Sequence, residues 1–252
     1  MRKMVYSCLW LLGSYTGMAQ PGIQERAALC MERIGQAEAD SVRIRISDEL
    51  AGLLQQLPWG AYRLEDPVKF LGFRKEDRTG AEMFSWIVPL QASAACYHLF
   101  KFNPPQRDVL LRVLPGDPGP PPAYLFYDWV GFTSKGKPYY VLFGWSETAH
   151  TNRKGVWIAA FPEEGGIRFD HRLMRKGESR SASLTFEYSR DANMMLKHDH
   201  KGKRIVFDHL VPAEERFSGS FMFYGPDGSW DALVLKRGEW IWEENVKPVF
   251  KN

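Results

Sequence analysis

The sequence is short of cysteine, of long apolar runs and of any excess of one charge, and each shortage narrows what the protein can be. Three cysteines in 252 residues offer no dense disulfide framework. No stretch approaches the about 20 consecutive apolar residues that a bilayer-spanning helix needs, so a mature chain with no membrane span is expected. Lys and Arg number 33 against 30 Asp and Glu, a formal net charge of +3. That balance supplies neither a basic footprint for nucleic acid nor an acidic arm for a cationic partner. No internal repeat of solenoid or propeller period is visible.

What is present begins with a leader. Arg2 and Lys3 form a positive start, Met4 to Leu12 a short apolar stretch broken by Ser7, and Gly13 and Ser14 end it. Gly17 and Ala19 place small residues where a signal peptidase would cut before Gln20. Residues 1–19 therefore read as a cleavable secretory signal; the alternative is a buried N-terminal helix. Cys8 lies inside the apolar stretch, with too little of it ahead to act as a lipidation site. Cleavage would remove Arg2, Lys3 and Cys8; two fewer basic residues lower the net charge from +3 to +1. An exported protein, periplasmic or secreted, is expected, away from any useful nucleotide pool. Cys30 and Cys96 would then face an oxidising compartment. Either they are bridged, which could stabilise by roughly 4 kcal/mol, or they are two small buried hydrophobes. Neither sits in a recognisable motif with a companion His, which argues against thiol catalysis.

The pattern predicts an α+β protein, mainly β: a helical segment over 20–58, then a predominantly antiparallel β domain over 59–252. Ala27, Cys30, Met31, Ile34 and Ala37 recur at helical spacing, and Asp48 to Gln56 carries Leu50, Leu53 and Leu54 before Pro58. Between them Val42-Arg43-Ile44-Arg45-Ile46 alternates like a strand, but its helical flanks favour helix. Asp40 or Ser41 is the expected cap. Beyond Pro58, short runs rich in aromatic and β-branched residues alternate with turn signals. Aromatics make up 14% of the chain, which suits strands. Ser134 to Lys137, Pro226-Asp227-Gly228 and Arg237-Gly238 read as turns, and Ser220–Tyr224 as a strand. Pro115 to Pro122 is dominated by proline and glycine and reads as a surface loop or a linker between subdomains.

Two near-motifs fail on their chemistry. Gly131 to Pro138 approaches a phosphate-binding loop, but Pro138 stands where a Ser or Thr must hold magnesium, and a strand follows instead of a helix. Gly144-Trp145-Ser146-Glu147-Thr148 approaches a nucleophile elbow, but Thr148 replaces its second glycine. Histidine gives a third candidate. His171, His198, His200 and His209, with Asp208 beside the last, fall in one part of the β region. His198 and His200 would share one face of a strand, and an adjacent strand could complete a three-ligand metal site. The alternative is a solvated hairpin tip over Lys197 to Lys203. Trp129, Trp145, Trp157, Trp230, Trp240 and Trp242 lie on or beside expected strands. Exposed, they would make a platform for sugar or peptide; buried, they are core.

The segments Lys137 to Trp145, Thr151 to Lys154, Ile205 to Pro212, Phe223 to Ala232 and Phe84 to Pro89 together resemble a family of exported, uncharacterised proteins of Bacteroidota. The resemblance covers most of the chain beyond Pro58. It implies export from a diderm bacterium and a helix-then-strand domain, and brings no activity, cofactor or catalytic residue with it. The matched pieces suggest a site. Asn152, Arg153 and Lys154 read as a polar turn, Asp208-His209 as a strand end, and Tyr224 to Trp230 as a turn with an aromatic on each flank. Meeting at one rim, Trp145, Asn152, Arg153, Asp208, His209, Tyr224 and Asp227 would form a ligand site. Equally, Asp208 and Arg153 could be partners that lock strands together. The expectation is an exported, non-enzymatic protein without a cofactor, binding an unknown ligand or envelope protein through its β face. The competing reading is an exported metal-dependent hydrolase on the histidines.

Overall fold

A computed structural model of the chain describes residues 22–103, 107–117, 123–199 and 203–247. The expected leader, most of the proline-rich stretch and His200 lie outside these residues.

Two helices, α1 (Ile23–Gln36) and α2 (Asp40–Gln56), come first. Ala27, Cys30, Met31 and Ile34 bury one stripe of α1, and Ile46, Leu50, Leu53 and Leu54 one stripe of α2. The alternating Val42–Ile46 is helical, because the apolar spacing of three and four carries on through Leu50. No side chain caps α2; its N-cap is Ala39, and the Asp40 carboxylate instead accepts the Gln91 backbone N–H at 3.1 Å.

Fourteen strands among the described residues form three sheets. The first holds β1 (Gly72–Lys75), β2 (Glu82–Pro89), β3 (Ala94–Lys101) and β4 (Val109–Val113), paired in that order. The second runs β10-β7-β6-β5, with β5 (Leu125–Ser134), β6 (Lys137–Glu147), β7 (Thr151–Ala159) and β10 (Ser183–Ser189). The third runs β11-β12-β13-β14-β8-β9, with β8 (Met174–Lys176), β9 (Ser179–Ser181), β11 (Leu196–Asp199), β12 (Arg204–Pro212), β13 (Tyr224–Lys236) and β14 (Glu239–Glu243). Every pairing is antiparallel except β14 with β8. The protein is thus α+β and mainly β.

Side-chain alternation stacks these elements into four layers. Ala95, Tyr97 and Leu99 of β3 face the helices, with Trp86 stacked on Tyr97 at 5.2 Å. Phe100 and Met83 face the second sheet, against Trp129, Leu142 and Trp157. On the far side of that sheet Val141, Phe143, Val156 and Ile158 meet Ile205, Phe207, Leu233 and Trp240 of the third. The second sheet is buried on both faces, which explains the unbroken apolar run Val141-Leu142-Phe143. The proline-rich stretch joins β4 to β5, carrying the chain from the first sheet to the second.

The layering settles the cysteines. Both are buried and unbridged. Cys30 packs in the core between the helices and the first sheet, whereas Cys96 alternates with Ala95 and Tyr97 and points to the opposite face. The bridge expected as one option is absent because the sheet lies between the two thiols.

One expected turn and one expected strand differ in the structure. Ser134 pairs with Lys137 in a tight hairpin as expected, with Lys135 at φ 48°. Pro226-Asp227-Gly228, however, is no turn: it lies inside β13, whose pairing with β12 jumps from Asp208↔Trp230 to Leu210↔Pro226. The extra residues form a bulge opposite His209, and Gly228 supplies its positive φ of 89°. The expected strand Ser220–Tyr224 is a short 3₁₀ turn, Phe221–Phe223, leading into β13.

Candidate functional site

The residues expected at one rim do not all meet. Asn152 and Arg153 belong to strand β7, not to a turn. The chain reverses instead at Thr148 to Thr151, where the Thr148 N–H donates to the Thr151 carbonyl at 2.8 Å. Trp145, Ser146 and Glu147 of β6 pair with Lys154, Arg153 and Asn152. The strand therefore runs straight through the would-be nucleophile elbow. Gly144 is small for a packing reason: a Cβ there would lie 2.7 Å from the Trp157 ring.

Arg153 and Tyr224 do come together. They line a cleft of about 470 Å³ with Tyr124, Thr185, Phe186, Glu187, Leu210 and Phe221. One wall is β10, the outer strand of the second sheet, and the lip is the Phe221–Phe223 turn. Phe221, Met222 and Phe223 are 45%, 46% and 38% exposed, and the ring of Phe221 lies 5.1 Å from that of Tyr224. On the polar side the Arg153 guanidinium grips Glu187 with two hydrogen bonds, Nε to Oε2 at 2.9 Å and Nη2 to Oε1 at 3.2 Å. The Thr151 hydroxyl donates to Glu187 Oε1 at 2.6 Å. Arg153, followed by Thr151, holds the Glu187 carboxyl below its usual pKa, and Glu187 in turn raises that of Arg153. Burial raises the pKa of the Tyr124 phenol, against the opposing pull of Ser146 and Arg153. Near neutral pH these three groups keep fixed protonation states, which suits holding a ligand better than moving a proton.

The other expected residues stand elsewhere. Asp208 does not pair with Arg153. Its carboxylate accepts the Met195 N–H at 2.6 Å and offsets part of the burial that lowers the Lys154 pKa. The Lys154 ammonium itself donates to the Met194 carbonyl. His209 Nδ1 lies 3.0 Å from Oδ2 of Asp231, a carboxylate 2% exposed that also accepts the Asn245 N–H. Asp227 is confined to the bulge, where its carboxylate accepts the Ser229 N–H and hydroxyl at 2.8 and 2.7 Å. Those bonds lower its pKa. Asn152 donates to the Arg190 carbonyl at 3.2 Å.

The three described histidines of the expected metal site do not form one cluster. His171 lies before β8, against Asp170 and the Tyr139 ring; His198 is on β11 and His209 on β12. Among the described residues no three His, Cys, Asp or Glu side chains form a group that could hold a metal. The expected metal site draws on His171, His198, His200 and His209; His200 lies outside the described residues, and the other three do not form a metal-holding group among the described residues. The tryptophans form no exposed row: Trp129, Trp157 and Trp240 are core residues, and Trp145, Trp230 and Trp242 are half-buried.

No protein-family model and no curated protein matches this chain. Function is therefore argued from the site alone. Sequence reasoning missed Tyr124, Glu187 and the Phe221-Met222-Phe223 lip. The lip carried a signal, because three large apolar residues in a row after Ser218-Gly219-Ser220 break the alternation of a half-buried strand.

Proposed function

We propose that the protein is an exported, non-enzymatic binding domain of the cell envelope or its surroundings, and that its ligand occupies the Arg153–Glu187 cleft. The exposed lip carries this reading. Exposed apolar side chains beside a cleft mark an interaction surface, and Phe221, which lines this cleft, shares it with a charged pair whose partners neutralise each other. Such a site suits a ligand with an apolar face and hydroxyl or amide groups along one edge. The leader motif over residues 1–19 supports export.

Two experiments test it. Full-length chain produced in a diderm host should be recovered outside the cytoplasm with Gln20 at its N-terminus; cytoplasmic, uncleaved protein refutes export. A fragment screen by amide NMR should give hits that shift Thr185 to Glu187 and Phe221 to Tyr224. Those hits should be lost in Phe221→Ala and Arg153→Ala. Hits that ignore both substitutions, or none on this wall, refute the binding site.

A further inference from the structure

The outer strands of the three sheets are not alike. β1, β4, β9 and β11 are three to five residues long, and the pairing of β5 is interrupted by a register shift between Phe126 and Asp128. Short strands and bulges blunt an edge against pairing with another chain. β10 has neither. Its seven residues pair with β7 without a break, from Ser183↔Trp157 to Ser189↔Thr151, and it has no other neighbour in its sheet.

Two hydrogen bonds fix which way its main chain points. The Ile158 N–H donates to the Ala182 carbonyl at 2.8 Å, and the Arg190 N–H to the His150 carbonyl at 3.3 Å. Bonded and non-bonded pairs alternate along an antiparallel ladder. Leu184, Phe186 and Tyr188 therefore turn their N–H and C=O groups to β7, and Thr185 and Glu187 turn theirs away from it. Among the described residues neither the Thr185 nor the Glu187 main chain has a hydrogen-bond partner. Their outward side is the Arg153–Glu187 cleft. Thr185 and Glu187 line it from one face of β10 and Phe186 from the other, so the cleft follows the edge between the two faces. Phe186 faces the third sheet, its ring 4.9 Å from that of Phe207, and Leu210 and Tyr224 of that sheet border the cleft with Phe221.

We propose that the ligand of this cleft is an extended peptide segment of another protein, added on β10 as a fifth strand of the four-stranded second sheet. The inference rests on the binding reading above and names the partner. Donors and acceptors recurring at every second residue, about 7 Å apart, are matched by an extended backbone. Side-chain alternation then sets which sequence fits. The peptide residue opposite Phe186 turns towards Leu210 and Phe221 and is apolar. Those opposite Thr185 and Glu187 lie on the face of the neutralised ion pair and are polar and uncharged. Phe221 stands beside the edge, so the cleft of about 470 Å³ admits one chain, whereas a second folded copy would bring its own lip to the same place.

The probe is a capped heptapeptide with threonine at its odd positions, valine at the second and sixth, and phenylalanine at the fourth. Amide NMR of the ¹⁵N-labelled protein should show saturable shifts at Thr185 and Glu187, with hydrogen exchange of both amides slowed. Two N-methylated forms read the pairing. One is methylated on the two threonines that flank phenylalanine and the other on phenylalanine, and these N–H groups face opposite edges of the peptide. One form should bind and the other should not. Loss on threonine methylation makes the added strand antiparallel; loss on phenylalanine methylation makes it parallel. Thr185→Pro removes an outward N–H and no ladder bond, and should weaken binding about tenfold. If that variant fails to fold, the methylated pair still decides. The proposal is overturned if both methylated forms bind or neither does, or if the two amides stay fixed at about 1 mM peptide. It is also overturned if they become protected without peptide as the protein dimerises. Fragments that bind at Phe221 and Arg153 while no peptide does would leave the cleft reading standing and sink the added strand alone.

Discussion

His98 makes stability depend on pH in a way that one substitution isolates. Its side chain is fully buried on β3, facing the second sheet, with the ring 4.3 Å from that of Phe126. Nδ1 lies 3.0 Å from the Ser85 hydroxyl, and Nε2 has no well-aligned partner. Burial lowers its pKa to about 3, and the Tyr124 backbone opposes this only in part. In the unfolded chain the pKa is about 6.5. Below that value the unfolded chain takes up a proton that the folded one refuses, so stability falls as pH drops from about 6.5 towards 3. The loss is about 1.4 kcal/mol per pH unit, or about 3 kcal/mol by pH 4.5. A domain of total stability about 5–15 kcal/mol should register that clearly. The comparison uses His98→Leu combined with Ser85→Ala, which removes both hydrogen-bonding partners and avoids an orphaned hydroxyl. Urea unfolding of both proteins from pH 7.5 to 4.5 should show the native chain losing about 3 kcal/mol more than the variant. Other titrating groups are common to both and cancel in the difference. Parallel stability curves, or a His98 ring signal titrating near pH 6.5 in the folded protein, would refute the reasoning.

Further outcomes follow from single residues. Glu82 is 2% exposed, with Oε2 unpartnered and its pKa raised, chiefly by burial. Its stabilising contribution is therefore present at low pH and lost as pH rises through the folded pKa. Glu82→Gln should stabilise the protein by about 1 kcal/mol at pH 8, with the gain disappearing towards pH 4 in the same urea assay. Gly131→Ala would set a Cβ 2.9 Å from Glu76 Oε1. It should destabilise by about 1–3 kcal/mol in thermal unfolding, by disturbing the contact between the β1–β2 turn and β5. Arg153 and Glu187 have side chains 42% and 26% exposed, so Glu187→Gln should cost less than about 1 kcal/mol of stability. A larger loss would assign the pair to the fold instead of the cleft. Cys96 has its pKa raised to about 12 by burial. Neither Cys30 nor Cys96 should react with a thiol reagent until the protein is unfolded, when both should.

What the sequence determined alone was local. The spacing of Ala27, Cys30, Met31 and Ile34 placed α1, the helical flanks carried Val42–Ile46 into α2, and Lys135-Gly136 turned β5 into β6. Pro138 and Thr148 were enough to dismiss two catalytic motifs. These features rest on neighbouring residues and turn chemistry, which a linear reading contains. Partner choice did not lie there. The partner of Arg153 is Glu187, 34 residues further on, because β7 and β10 pair in that register. Pro226-Asp227-Gly228 became a bulge because β12 runs on past Asp208. His171, His198 and His209 formed no common cluster, and the two cysteines fell on opposite sides of one sheet. Only the tertiary structure decided these points, because register and layer order come from long-range pairing and a one-residue shift of a strand exchanges its faces.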